Sequence, residues 1–540
     1  MQNLLLIIAS FLLCSISKVQ NDSGIEDKEI SEKQSDIDLD AAIKRFSKAI
    51  TFETVSIKPG EANVPELLKF RKYLESAYPL MHSTPWIERQ IVGNLSLVYT
   101  IMPLIEDDDK FTNKPWILQA HLDVVLPTDP HKWDANPFGG QIIYKPKNLH
   151  KILYDPKTNK SSKKFSVDDI DNKDYYLYGR GTIDSKHIIM SIMEAIEHMI
   201  RQGLRPNTKK LILSFGHDEE VGGMNGARKI VSLLGNTYSF PPKGGKPIDF
   251  LLDEGLTVVK DVLPRNTKLA PVCVSEKYVM NVNISVESIG GHSSLSGKEN
   301  AISILSGAVT KIQTKEFPSF LGQLGTPDFE ILRRIAHLYP QPYRIYMENM
   351  ALFRNVLSNI TLDNDLVNAI TRTSAAVMSF NGGIKSNVIP IYAEANINHR
   401  IHPLQDPKEI LEFDDQTIGD SRVKIVSDEI PIRSPISDYD TKAFKIIEAT
   451  ILGIFNETIV VPAILMASTD SKHFSGIVDN IYRFSPLTMT VDDLPRVHGV
   501  NERISVADFH NCIKFYYDLI EQVSGFVKVP KDSKRREKIK

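Results

Sequence analysis

The sequence has few cysteines and no excess of charge of one sign. Three cysteines occur among 540 residues, at Cys14, Cys273 and Cys512. A fold held mainly by disulfides needs several cysteine pairs, so a disulfide scaffold is excluded. The 64 Lys and Arg against 67 Asp and Glu give a net charge of −3. The chain as a whole therefore has no positive field for a phosphate backbone, and we expect no nucleic-acid partner.

Long apolar runs are also scarce. The run at residues 4–16 lies within seventeen uncharged residues at the amino terminus. It is long for the core of a signal peptide and short for a membrane span. We interpret residues 1–17 as a signal peptide cleaved before Lys18, because Ser15 and Ser17 supply the small residues that cleavage requires. The alternative is a signal anchor in a lumenal or vacuolar compartment.

Secretion agrees with the number of Asn-x-Ser/Thr sequences, which are acceptors for N-glycans in secreted proteins. They begin at Asn21, Asn94, Asn159, Asn283, Asn359 and Asn456. We therefore expect an extracellular glycoprotein that has no stable membrane span after cleavage.

The pattern of apolar residues along the chain predicts an α/β catalytic domain. Short apolar runs such as 116–120 and 211–215 alternate with helical patterns, of which 188–200 is the clearest. That alternation is typical of buried strands connected by helices. Residues 18–38 are polar and predict a linker, and the basic segment 526–540 predicts a solvated tail.

An inserted domain interrupts this catalytic domain. Residues 278–286 alternate apolar and polar side chains, as a half-solvated antiparallel strand does, and helical patterns follow them. We predict an inserted α+β domain over 277–400. The catalytic domain then consists of 39–276 and 401–525.

Acidic and imidazole side chains follow four of the predicted strands, at the edge of the sheet where α/β proteins bind ligands. Imidazole nitrogens and carboxylate oxygens are the donors that zinc prefers. Residues two apart on a strand point to the same side, so Asp123 can accept the ring N–H of His121. Glu219 and Glu220 point differently, which lets one bind metal while the other acts as a base. The candidates are His121, Asp123, Asp184, Glu219, Glu220, Asp253 and Glu254.

Taken in order, these motifs resemble the co-catalytic zinc exopeptidase family of aminoacylase and carboxypeptidase S, most closely its N-fatty-acyl-amino acid synthase/hydrolase branch. The resemblance covers about 41–523. It implies an α/β catalytic domain with a mixed sheet and an inserted α+β lid domain of the dimerisation type. A lid domain of this type is compatible with a homodimer that forms through it. The motifs that carry it are His-x-Asp-Val-Val at 121–125, Gly-Arg-Gly-x-x-Asp-x-Lys at 179–186, His-Asp-Glu-Glu-Val-Gly-Gly at 217–223, Leu-Asp-Glu-Gly at 252–255, Gly-His-Ser-Ser at 291–294, Thr-Asp-Ser-Lys at 469–472 and Val-His-Gly-Val-Asn-Glu at 497–502.

The resemblance also implies a role for each metal ligand. Asp184 would bridge two zinc ions. His121 and Asp253 would complete one zinc site, and Glu220 and His498 the other. Glu254 is the alternative to Asp253.

Further roles follow from the same resemblance. Glu219 would be the general base, and Asp123 would orient His121. His292 in the lid would donate to the developing oxyanion, and Arg400 and Asn387 would hold the α-carboxylate of the substrate.

Two positions depart from a simple reading of the motifs. The family usually has a second acid where this chain has Ser185. His473 lies beside Asp470, but this position in the family is usually occupied by residues that cannot bind zinc, so we do not count it as a ligand.

The sequence therefore predicts a secreted di-zinc amidohydrolase. Glu219 would take a proton from the attacking water and return it to the leaving amine. The expected substrate is an N-acyl amino acid, with a fatty acyl group and the reverse condensation implied by the resemblance. A carboxypeptidase S-like dipeptidase would use the same residues. A metal-binding pseudoenzyme would be expected to lack Glu219 or a ligand.

Overall fold

The computed structural model describes residues 37–105, 113–146, 149–166, 169, 174–241, 244–295, 297–360, 365–427 and 429–528. The predicted signal peptide, the linker up to residue 36 and the tail beyond 528 lie outside these residues. Within the described ranges, we find no helix whose length and apolar character would let it cross a bilayer.

The helices include those expected from periodicity. The first begins after Asp38, whose carboxylate accepts the N–H of Ala41, and buries one apolar face. The segment with the clearest helical pattern, 188–200, lies in a helix that is buried along almost its whole length. The α-helices of the described residues are α1 Leu39–Ile50, α2 Val64–Ala77, α3 Pro79–Ser83, α4 Lys186–Arg201, α5 Ala227–Thr237, α6 Ala301–Thr314, α7 Pro327–Ile335, α8 Tyr343–Glu348, α9 Met350–Ile360, α10 Asp365–Thr371, α11 Pro407–Ile418, α12 Lys442–Ile454 and α13 Val506–Ser524.

The strands of the described residues are β1 Ser56–Lys58, β2 Glu61–Ala62, β3 Ile87–Val92, β4 Ser96–Ile101, β5 Trp116–His121, β6 Ile142–Tyr144, β7 Lys151–Asp155, β8 Lys160–Ser161, β9 Tyr175–Tyr178, β10 Leu204–Pro206, β11 Leu211–Gly216, β12 Ile248–Val259, β13 Lys268–Glu276, β14 Tyr278–Glu287, β15 Gly291–His292, β16 Ser374–Gly382, β17 Val388–Ile389, β18 Tyr392–Ile401, β19 Val423–Ser427, β20 Thr458–Leu465, β21 Val478–Met489, β22 Arg503–Ser505 and β23 Phe526–Lys528.

Contacts divide the described chain into two compact units, of which the first holds 37–272, 437–460 and 469–528. Its main sheet contains six strands that lie wholly within this unit, in the order β21-β12-β5-β11-β4-β3. β5 runs parallel to both β11 and β12, and β3 and β4 close one edge in antiparallel pairs. Parallel neighbours place their carboxyl ends together, so the residues that follow β5 and β11 meet at one edge of the sheet.

The second unit holds 273–436 and 461–468. Its sheet has the order β16-β18-β14-β19, and all three pairings are antiparallel. Buried residues alternate along β14, as expected of a strand with one face on a core, and α6 and α11 supply apolar residues to that core. The unit extends past residue 400, where the sequence predicted its end, because α11 contributes to this core and β19 pairs with β14.

Candidate metal centre

The first two candidate ligands meet at the carboxyl edge of the main sheet. His121 is the last residue of β5, and its Nε2 lies 2.9 Å from Oδ1 of Asp184. Asp184 precedes α4, and its peptide bond to Ser185 is cis although no second acid stands at that position. The other carboxylate oxygen of Asp184, Oδ2, lies 2.8 Å from Nε2 of His498. One carboxylate therefore faces two imidazoles, one through each of its oxygens.

Glu220 lies on the His498 side of this arrangement. Its Oε2 is 3.3 Å from Nε2 of His498, and its Oε1 accepts the N–H of Val125 at 3.1 Å. His121, Asp184 and Glu220 form one group whose ligand atoms all lie within 4.8 Å of one another. The arrangement suits a cation held by imidazole and carboxylate donors.

Glu219 and Glu254 lie on the other side of His121. These three residues form a second group whose ligand atoms lie within 4.8 Å of one another. Oε2 of Glu254 is 3.3 Å from Nε2 of His121. The two groups share His121, so together they place five residues with donor atoms, Glu219 included, around one small volume.

Asp253, the ligand expected from the sequence, is directed elsewhere. Its carboxylate accepts the N–H of Ser471 through Oδ2 at 3.2 Å and the N–H of Glu254 through Oδ1 at 2.9 Å. Successive strand residues point to opposite faces, and the register of β12 against β21 shifts just after Asp253. The geometry therefore directs Glu254, and not Asp253, toward His121.

Asp123 connects the strand to the turn that carries the two glutamates. Nδ1 of His121 is 2.9 Å from the main-chain oxygen of Asp123 and 3.4 Å from its carboxylate Oδ1. The two carboxylate oxygens accept the N–H groups of Glu219 and Glu220 at 3.2 and 3.3 Å. The Asp123 backbone thus contacts the ring of His121 most closely, while its buried side chain fixes the turn.

The electrostatics of the site reflect crowded acids in a buried volume. Burial by itself would raise the pKa of Asp184, but the imidazoles of His121 and His498 outweigh it and hold that pKa well below its usual range. Burial raises the pKa of Glu254 to about 8, with some compensation from His121. Burial, together with the nearby acids, also raises the pKa of Glu219 well above its usual range. Hydrogen bonds to Asp184 and Glu220 raise the pKa of His498 to about 10.

These acids and imidazoles fit divalent metal ions. Four carboxylates, those of Asp184, Glu219, Glu220 and Glu254, surround two imidazoles, so ionising all four leaves negative charge that the two rings cannot balance. Bound cations would neutralise it, because a divalent ion is the largest local charge in such a site. The mixed imidazole and carboxylate donors match zinc and similar ions.

The remaining predicted site residues lie in the second unit. His292 is exposed on β15, and its Nδ1 is 2.8 Å from the hydroxyl of Ser294. Asn387 is close to it along a two-stranded ribbon, where its carbonyl accepts the N–H of Ser293 at 3.1 Å and β15 pairs with β17. Arg400 is exposed on β18, opposite Val279 of β14.

His473, which was not expected to be a ligand, contacts the backbone next to the two glutamates. Its Nε2 lies 2.9 Å from the carbonyl oxygen of Gly222. The neighbouring Ser471 donates its N–H to Asp253. The segment from 469 to 473 thus contacts the turn that carries the two glutamates and the strand that carries Asp253 and Glu254. The only sequence signal for these contacts was the resemblance of the segment to a family motif.

Comparisons with known proteins agree with this picture. Residues 155–522 match the sequence profile of peptidase family M20/M25/M40. Probable carboxypeptidase S-like 2 of Dictyostelium discoideum is 34% identical over 501 residues, covering 91% of this chain and 86% of that protein. N-fatty-acyl-amino acid synthase/hydrolase PM20D1 of Homo sapiens is 33% identical over 479 residues, covering 88% and 86%. These matches confirm the resemblance inferred from the motifs.

Solved structures confirm the fold. The M20 family metallo-carboxypeptidase Sso-CP2 from Sulfolobus solfataricus superposes with a TM-score of 0.59 at 16% identity, covering 89% of this chain and 99% of that one. Human carnosine dipeptidase 1 gives a TM-score of 0.54 at 15% identity, covering 92% of this chain and 99% of that one. At such identities the likeness shows the α/β fold with its mixed sheet and nothing finer.

Proposed function

The chain belongs to peptidase family M20/M25/M40, and on that basis we propose that it is a secreted di-zinc amidohydrolase of N-acyl amino acids. The observation that carries the proposal is Asp184, whose two carboxylate oxygens face the different histidines His121 and His498 at 2.9 and 2.8 Å. A shared carboxylate between two imidazole-bearing groups is what a two-metal site requires.

Five residues would hold the two ions. Asp184 would be shared, His121 and Glu254 would complete one site, and Glu220 and His498 the other. When bound, the zinc ions would polarise the amide carbonyl and make a water molecule more acidic. Glu254 takes the place that the sequence gave to Asp253, because its carboxylate is the one near His121.

Glu219 would move the proton. Its carboxylate lies within the His121 and Glu254 group, and Asp123 holds its backbone N–H. A base works best with a pKa near the working pH, and burial raises the pKa of Glu219 in that direction. Glu219 would accept a proton from the attacking water and deliver it to the nitrogen of the leaving amine.

Residues of the second unit would bind the substrate. His292 would donate to the oxygen of the reacting carbonyl, through Nε2 because Nδ1 contacts Ser294. Arg400, aided by Asn387, would hold the α-carboxylate, which a guanidinium binds in a bidentate manner. The protein would also form a homodimer through the second unit. Sedimentation of the purified protein would measure its oligomeric state.

Relatives support a fatty acyl group on the substrate. PM20D1 proteins named as N-fatty-acyl-amino acid synthase/hydrolases are 32% identical in Mus musculus and Bos taurus and 33% in Homo sapiens. The condensation of a fatty acid with an amino acid would then be the reverse reaction at the same site. The second candidate is a carboxypeptidase, which the 34% identity to a carboxypeptidase S-like protein favours.

A substrate panel tests these alternatives. The purified, zinc-loaded protein is assayed against one amino acid carrying acetyl, octanoyl or oleoyl groups and against dipeptides with the same carboxyl-terminal residue. We expect the oleoyl compound to be cleaved fastest, chelator to stop cleavage, and added zinc to restore it. Faster cleavage of dipeptides would favour the carboxypeptidase. Two bound zinc ions without cleavage of any compound would favour a pseudoenzyme.

A further inference from the structure

A buried ion pair lies directly behind the metal centre, in the same unit. Nη1 of Arg180 donates to Oε2 of Glu502 at 2.5 Å, and both side chains are almost fully buried. The two residues are 322 positions apart in the sequence. Neither is in the ligand set, although each lies in a motif that contains a ligand.

Glu502 holds the backbone that leads to Asp184. Its Oε1 accepts the N–H groups of Gly181, Ile183 and Asp184 at 3.0, 2.7 and 3.2 Å. Three donors converge on one oxygen, so the path of the chain into Asp184 is fixed by this carboxylate. The main-chain oxygen of Glu502 also accepts the N–H of Gly179 at 3.0 Å.

Arg180 holds the backbone of His498. Its Nη2 donates to the carbonyl oxygens of His498 and Gly499 at 2.9 and 3.1 Å. His498 has a φ of 58°, a left-handed conformation that is unfavourable for a residue with a side chain. Such a conformation persists only where surrounding contacts hold it, and the Arg180 guanidinium supplies two of them.

We propose that Arg180 and Glu502 form a clamp that positions Asp184 and His498 relative to each other, and so sets the geometry of the metal centre. Each loop carries one metal ligand and one member of the ion pair. Each member of the pair accepts from or donates to the backbone of the other loop, so the pair joins the two loops. Removing two charges from water costs free energy that their attraction only partly returns, so a buried ion pair is a poor device for stability alone. A positioning role gives a reason for burying the pair here. The inference rests on the proposed metal centre.

Metal binding tests the clamp without any substrate. Metal-free protein is prepared from the full chain, and zinc affinity is measured by competition with a chromophoric chelator. Cobalt then replaces zinc, and its visible absorption reports ligand geometry. We expect Glu502→Gln to weaken zinc binding by about 10- to 100-fold, the usual effect of changing a residue that orients a ligand, and to alter the cobalt spectrum.

A matched control separates positioning from general stability. Arg45 and Glu194 form another partly buried ion pair of the same unit, with two hydrogen bonds of 2.6 and 2.7 Å. Glu194→Gln should lower Tm but leave zinc affinity and the cobalt spectrum unchanged. If Glu502→Gln does not fold, Arg180→Lys retains the charge while losing the fork that reaches two carbonyls, and it should show the same loss.

The outcomes distinguish this inference from the proposed function. Glu502→Gln or Arg180→Lys with wild-type zinc affinity and cobalt spectrum would overturn the clamp and leave the proposed function intact. Wild-type protein that binds no metal would overturn both. Normal metal binding without cleavage of any N-acyl amino acid would overturn the function and leave the clamp standing.

Discussion

Neighbouring acids of this chain have different surroundings, and Asp253 and Glu254 are the clearest case. The first accepts backbone N–H groups and the second faces His121. We expect Glu254→Ala to lose most of its affinity for one metal ion, because it removes a donor, whereas Asp253→Asn should keep both ions and lose stability. Metal content after dialysis and Tm measure the two effects. Metal loss from Asp253→Asn alone would restore the assignment made from the sequence.

Glu219 and Glu220 form a second such pair. Glu219→Gln removes the proton acceptor but little else, so both ions should remain while turnover falls about 100-fold or more. Glu220→Gln should weaken metal binding, because a neutral amide is a poor zinc ligand, and excess zinc should partly restore its activity. Metal analysis and initial rates at two zinc concentrations separate the roles. The opposite pattern would mean that the roles are exchanged.

At the scale of the element, the short 3-10 turn Glu219–Val221 depends on Gly223, the second of the two glycines that follow it. Gly223 has a φ of +70°, and a Cβ placed there would lie 1.8 Å from Oδ1 of Asp470. Gly223→Ala should therefore displace the turn, weaken zinc binding and reduce turnover. Gly203→Ala is the control, since Gly203 has a φ of +76° and nothing within 4 Å. It should lower stability by about 1 kcal/mol and leave metal binding unchanged. Equal metal loss in both variants would refute the packing argument.

At the scale of the whole molecule, the expected secretion can be checked on the mature chain. Expressed in a secretory host, the protein should begin near Lys18 and carry glycans at the exposed Asn159 and Asn456. Asn283 should stay unmodified, because it lies in β14 with a paired strand on each side. Mass spectrometry of the secreted protein and its glycopeptides measures both. An intact Met1 in a membrane fraction would indicate the anchor, and recovery from the cytosol would contradict both.

The sequence by itself determined the fold class and the elements that carry the site. Helix and strand periodicities are local, so α4 and β14 appear close to where the patterns placed them. The motifs also contain the residues of the acidic and imidazole cluster. They could be picked out from the sequence because few kinds of side chain can bind zinc.

Only the tertiary structure decided what depends on register and on contacts between distant segments. A strand turns Asp253 and Glu254 to opposite faces. The local sequence does not show which face meets His121, because it is the same in both cases. The pairing of β12 with β21 and β5 directs Glu254 toward His121. Likewise, no local pattern joins Arg180 to Glu502 or extends the second unit to residue 436, because β19 and the clamp are completed by residues far away in the chain. Local propensity determines whether a segment forms a helix or a strand, whereas long-range strand pairing determines which of its residues face the site.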